Sequence, residues 1–213
     1  MNRNFALLVA ATLSLLASTG GAAQTPSPAA YTVLDDNATQ LREDFNKAKG
    51  TVRLLFVVDP ICPGCLRGLD DMDQALLKKT SDPRPQTFVV HVPVLGAKAK
   101  DVAPASKLLH NVNVRHYWNA SGAFGGMLSN AVRPSEGEKK WIYAWDVWLI
   151  YGPEAVWEGS ALPQPKLLMQ QLSALQGSTR FPRLDRNVFA QNVQALLATA
   201  APEVAANSSG SAK

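Results

Sequence analysis

The feature that most constrains this chain is the junction between residues 53 and 76. Arg53 to Val58 (RLLFVV) is an almost unbroken apolar run, Asp59 and Pro60 stop it, and Cys62-Pro63-Gly64-Cys65 follow directly. A short run without polar alternation, bounded by turn residues, is the pattern of a strand buried on both faces of a parallel or mixed sheet. Cys65, Leu69, Met72 and Leu76 then recur at helical spacing until Lys78 and Lys79 close the helix. The two cysteines, the only ones in the chain, therefore stand where a buried strand gives way to a helix.

That placement has a chemical meaning. The reactive form of cysteine is the thiolate, and a helix N-terminus offers free backbone N–H groups and about half a positive charge to stabilise it. Lowering a thiol from pKa ~8.5 to ~7 corresponds to about 2 kcal/mol, which the dipole and local donors can supply. As a mere staple the pair is poorly designed, because a disulfide closing so short a loop restrains the unfolded chain by only on the order of 2 kcal/mol. Zinc sites share the Cys-x-x-Cys spacing, but they normally add a second such pair or two nearby histidines, and this chain has no other Cys. The reading is a redox pair that calls for no metal and no cofactor.

The rest of the chain supplies a frame for this junction. Asn37 or Thr39 caps a helix running to about Ala48, with Leu41 and Phe45 on one face and Gly50 ending it. Thr87 to Leu95 reads as a second strand, Ala105 to His110 as helical, and Asn111 to Arg133 as a long Gly-containing connection. Asp146 to Tyr151 (DVWLIY) and Ala155 to Glu158 (AVWE), split by Gly152 and Pro153, read as a hairpin. Leu167 to Leu175 and Asp185 to Ala198 read as two more helices, the second with Val188, Phe189, Val193, Leu196 and Leu197 on one face.

The order helix, strand, Cys-Pro-Gly-Cys, helix, strand, helix, hairpin, helix resembles the thioredoxin superfamily over roughly Asn37 to Leu175. The resemblance implies a three-layer α/β fold, a central mixed sheet with helices on both faces. It also implies that Cys62 is the exposed nucleophile and Cys65 the deeper resolving thiol, with Pro63 and Gly64 shaping the motif between them. Pro63 is similar to the proline found there in glutaredoxins and in periplasmic disulfide-forming oxidants. Two departures stand out. Thioredoxin has Trp just before the first Cys and a buried Asp six residues ahead of it, where this chain has Ile61 and Phe56. Asp59 is a candidate substitute, with an equally good reading as a strand-ending turn residue. The cis-proline that most members place before the third strand is replaced by Trp145 and Asp146, expected to lie near the cysteines, where an ionised Asp146 would raise the pKa of Cys62. Pro93 reads as an edge or bulge proline inside its strand. Oxidase, reductase and isomerase all remain open.

The N-terminus carries Arg3, then an apolar run from Phe5 to Ala17, then Gly20, Gly21, Ala22 and Ala23. About thirteen apolar residues are too few for the ~20 a membrane-spanning helix needs, so the layout is that of a signal peptide over 1–23. Residues 24–36 read as a flexible leader, 37–178 as the thioredoxin-like domain, 179–199 as an additional C-terminal helix and 200–213 as a disordered tail. Export implies a periplasmic or secreted protein without a stable membrane anchor after cleavage, in an oxidising compartment, with exported protein thiols or disulfides and a redox partner protein to meet. The net charge of +4 comes from 21 basic and 17 acidic residues scattered without a Lys or Arg run, which argues against nucleic acid as a partner.

Two other functions stay in view. One is a copper metallochaperone in which His110 or His116 joins the cysteines. The other is a non-catalytic binding module that uses the Trp residues gathered between Trp118 and Trp157, whose plainer reading is core packing. His91, His110 and His116 each read first as structural residues, and Glu136 to Lys140 as a charged surface loop. Oligomeric state is not legible.

Overall fold

The computed structural model describes residues 30–79, 82, 84–132, 143–173 and 178–199. The expected signal peptide, the leader up to residue 29, the Glu136–Lys140 loop and the tail lie outside the described residues. The six residues Arg53–Val58 form β2 and every one is buried, as their composition predicts. Their neighbours explain why. β3 (Gln86–His91) pairs with β2 in parallel from Arg53↔Gln86 to Val58↔His91, and β5 (Val147–Tyr151) pairs with it antiparallel from Arg53↔Tyr151 to Val57↔Val147. With β1 (Thr32–Val33), β4 (Val114–Trp118) and β6 (Leu167–Gln170), the sheet runs in the order β1-β4-β3-β2-β5-β6.

Alternation along the strands sorts their side chains between two cores. Leu55, Val57, Phe88, Val90 and Leu149 face α1 (Thr39–Lys47) and α4 (Ala123–Ala131), which contribute Leu41, Phe45, Phe124 and Leu128. Leu54, Phe56, Val58, Trp148 and Ile150 face α2 (Pro63–Met72) and α5 (Arg186–Thr199), which contribute Cys65, Leu69, Met72, Phe189, Val193 and Leu197. Helices thus cover both faces of a mixed sheet, and the fold is α/β and thioredoxin-like. Among the described residues no helix is long and apolar enough to cross a membrane.

Several expectations need correction. Thr32 and Val33, placed in the leader, pair in parallel with Tyr117 and Trp118 at the sheet edge. The N-cap of the first helix is Ala38, without a side-chain cap, rather than Asn37 or Thr39, and the Asp35 carboxylate one turn earlier accepts the Thr39 N–H (2.8 Å) and Oγ1–H (2.7 Å). β3 stops at His91, so Pro93 lies beyond the strand and removes no ladder bond. Helical structure near Ala105 begins earlier, with a 3₁₀ turn at Ala99–Asp101 and the short α3 (Val102–Ser106).

The connection over 111–133 in fact holds β4 and α4. The sequence of α4, AFGGMLSNA, carries two glycines, which weakens its helical signal. On its side away from β2, β5 pairs with β6, and Ala155–Glu158 forms no strand. LLMQ is too short for its apolar run to tell helix from strand, and antiparallel pairing with β5 decided it. Beyond Met72 the second helix continues as a π-helical turn over Asp73–Leu77. The buried Asp73 carboxylate there accepts the His110 backbone N–H (2.8 Å) and pairs with His110 Nδ1 and Lys78.

Candidate active site

The site grows from the carboxyl end of β2. Asp59 is fully buried and spends its carboxylate on backbone: Oδ1 accepts the Ile61 N–H (2.9 Å) and Oδ2 the Leu95 N–H (2.6 Å). It ties the turn before the cysteines to the exit of β3, which makes it the turn builder of its plainer reading. Its backbone carbonyl also accepts the Cys62 N–H (3.1 Å). Cys62 is then the N-cap of α2: its Sγ accepts the Cys65 N–H at 3.3 Å, satisfying a donor that the helix start would otherwise leave free. Pro63 follows at the first helical position, where its missing N–H costs nothing.

Both cysteines are free thiols. Cys62 is 7% exposed and Cys65 fully buried, so the order of access is as expected but the first sulfur is more sheltered than an exposed nucleophile. Burial pushes the Cys65 thiol far up, and the charge of Asp146 adds to the effect. The carboxylate expected near Cys62 also acts on Cys65, second to burial.

Asp146 reaches both sulfurs. One of its oxygens and the two Sγ atoms lie within 4.8 Å of one another, although the residue stands far along the chain at the entry to β5. It sits in the left-handed region (φ 53°), which Asp tolerates better than most residues. The side chain is 5% exposed, and burial raises its pKa to about 6. The Cys65 thiol and the exposed cations Arg183 and Arg67 favour its charged form, and the Trp148 indole leans toward it without closing a hydrogen bond. With its amide turned to satisfy both partners, Gln171 donates from Nε2 to Asp146 Oδ1 (2.9 Å) and to the Gly64 carbonyl (3.2 Å). Trp145 is partly buried and packs between the two cores, holding the segment that delivers Asp146.

Gly68 keeps the site tight, whereas Gly64 has room for ordinary contacts. A Cβ on Gly64 would come 3.5 Å from Asp146 Oδ2 and 3.7 Å from Cys62 Sγ, and one on Gly68 would meet the Trp148 ring at 2.2 Å. Gly68 thus lets α2 press onto β5 closely enough for the dithiol and Asp146 to meet. Gln171, Trp148, Gly68, Arg67 and Arg183 were not singled out from sequence as site residues, and Gln171 had been read inside a helix. Nothing in their local sequence points to the cysteines.

The histidines are elsewhere. His110 is taken by Asp73, and His116 Nδ1 meets His91 Nε2 at 3.1 Å. Among the described residues the three-donor cluster contains no histidine, so the copper arrangement with His110 or His116 is not assembled. Of the tryptophans described, Trp118, Trp148 and Trp157 are buried and Trp145 partly so, which makes them core.

The sequence matches no known family model and no curated protein. Solved structures show a similar outline. A secreted Mycobacterium tuberculosis disulfide oxidoreductase homologous to E. coli DsbE aligns at 13% identity and TM-score 0.45, covering 70% of this chain and 85% of its own. Arabidopsis thaliana ScoI with copper bound aligns at 14% identity and TM-score 0.45, over 72% and 88% of the two chains. A thiol:disulfide interchange protein of the thioredoxin family from Chlorobium tepidum aligns at 12% identity and TM-score 0.40, over 71% and 83%. At such distances the assignment of the fold rests on this chain's own topology.

Proposed function

We propose that this protein is a periplasmic or secreted thiol-disulfide oxidoreductase working through Cys62 and Cys65. The observation that carries the reading is the Cys62 sulfur seated as N-cap of α2, accepting the Cys65 N–H, with a fully buried second thiol beneath it. In the reducing direction the Cys62 thiolate attacks one sulfur of a substrate disulfide, forming a mixed disulfide and expelling the other substrate sulfur as a thiolate. Cys65 then gives its proton to the adjacent Asp146 carboxylate and attacks Cys62 Sγ, releasing the second substrate thiolate and leaving a Cys62–Cys65 disulfide. Two electrons pass to the substrate, and the reverse sequence oxidises a dithiol. Its substrates are exported protein thiols or disulfides, and a redox partner protein resets the pair.

Cys65→Ser tests this directly. Challenged with a disulfide substrate, the variant should accumulate a mixed disulfide on Cys62, and Cys62→Ser should accumulate none. Equal trapping by both variants, or no two-electron redox couple in the wild type, would reject the reading.

A further inference from the structure

We propose that the reduced pair and Asp146 form a binding site for a borderline divalent cation of the Zn2+ class. The proposal shares residues with the exchange reaction but does not depend on it. Three donor atoms, Cys62 Sγ, Cys65 Sγ and a carboxylate oxygen of Asp146, already lie within 4.8 Å of one another. On one tetrahedral zinc ion, with metal–sulfur bonds of about 2.3 Å and metal–oxygen bonds of about 2.0 Å, two thiolates stand about 3.8 Å apart and a thiolate and a carboxylate oxygen about 3.5 Å, so the donors need to close by little more than about 1 Å. Three protein donors leave a fourth position for a water or a substrate group. All three residues are buried, which removes the competition with solvent that keeps surface carboxylates and thiols from holding an ion.

The surroundings are built for a ligand. Gln171 fixes Asp146 Oδ1 through its amide, leaving Oδ2 turned toward Gly64 and Cys62. This is the outer support that metal-binding carboxylates use. Gly64 offers no side chain between that oxygen and Cys62 Sγ, where a Cβ would stand against both. Among the described residues the buried Trp148 Nε1 leans toward the carboxylate without closing a hydrogen bond, leaving a donor for a water on the ion or on Asp146. Two thiolates and a carboxylate exceed the charge of a divalent ion by one, and Arg67 and Arg183 are placed to balance it.

The donor set selects the ion. Two thiolates disfavour Mg2+ and Ca2+, which take oxygen ligands, and a mixed sulfur and oxygen set suits zinc. Binding releases the two thiol protons to solvent and changes no oxidation state. The cation and the Cys62–Cys65 disulfide therefore exclude one another, and a bound ion holds the pair reduced.

Calorimetry with Zn2+ and absorption spectroscopy with Co2+ as its chromophoric stand-in, both under argon, test the site. Reduced wild type should bind one ion per chain with sulfur-to-cobalt charge-transfer bands, and the disulfide form none. Asp146→Asn should weaken binding at least about tenfold, and Gln171→Ala should weaken it less. Unchanged far-ultraviolet dichroism in both variants establishes that they are folded. No binding by the reduced wild type, or equal affinity in folded Asp146→Asn, overturns the proposal. Thiol-disulfide exchange measured in chelator on the same samples keeps the two readings apart: active protein that binds no Zn2+ sinks only the cation site.

Discussion

The paired strands β2 and β5 carry a buried ion near each end, and the two are surrounded very differently. At one end Arg53, opposite Tyr151, donates to the carbonyls of Thr51, Phe45, Ala155, Gly152 and Pro153 and lies 4.4 Å above the Phe45 ring. Burial lowers its pKa, and the charge of Glu154 acts against that. At the other end Asp146 has, among the described residues, one amide donor, Gln171, and two sulfurs. A buried ion with a nearly full set of partners fixes the chain, whereas one with few partners keeps an unusual proton affinity and is open to chemistry. The first end holds the fold, and the second holds the site.

Removing Arg53 should give the largest effect. Arg53→Met removes the guanidinium donor from five carbonyls, of which Gly152 and Pro153 keep a backbone N–H partner, and should cost about 3–5 kcal/mol in urea unfolding, by analogy with breaking a buried ionic network. The alkylation rate of Cys62 in the fraction that remains folded should not move. A loss below about 1 kcal/mol would break the comparison.

A third buried group sharpens it. His91 and His116 stack at 5.4 Å, and burial lowers His91 to about 3, helped by His116, and His116 to about 4. Both values lie below the usual 6.5, so as pH falls the unfolded chain takes up protons that the native state refuses. Stability present above pH ~6.5 should be lost on the way down, by about 3 kcal/mol at pH 4 from His91 alone. His91→Leu should flatten that arm of the pH–stability curve. An arm as steep as that of the wild type would mean that the histidines are solvated.

Asp146 runs with the opposite sign. Its native pKa of about 6 lies above the usual 3.8, so its contribution is fully present below pH ~4 and is lost as pH rises through 6. The raised value corresponds to about 3 kcal/mol of destabilisation at pH 7. Asp146→Asn should therefore stabilise the fold by about 2 kcal/mol at pH 7, after allowing for altered hydrogen bonding with Gln171, and by nothing at pH 4. A variant less stable than wild type at pH 7 would show the carboxylate to be a satisfied structural ion like Arg53.

The smallest effect is expected from Gln171→Ala, about 1 kcal/mol, with an upward shift in the Asp146 titration followed by carboxyl NMR. Absence of that shift would remove Gln171 as the residue that holds the carboxylate.

How much of this was readable in advance depended on the range of the interactions involved. The apolar run of β2, the helix start at the cysteines and the helical repeat after it are local patterns, and they stand in the structure where the sequence places them. The approach of Asp146 to the cysteines followed from chain order, because a strand pairing antiparallel with β2 has to begin at the end of β2 where the cysteines lie. β4, α4 and β6 escaped because short or Gly-containing segments take their form from their neighbours.

Sequence alone determined the dithiol, its seat at a helix start and the α/β class, since hydrophobic period and backbone capping act within a few residues. Tertiary structure alone decided that Asp146 acts on Cys65 and that Gln171 orients it. It also turned His110 and His116 away from the site and gave Arg53 its carbonyls. Burial and donor count set the properties of a charged side chain, and both are supplied by segments that lie far away along the chain.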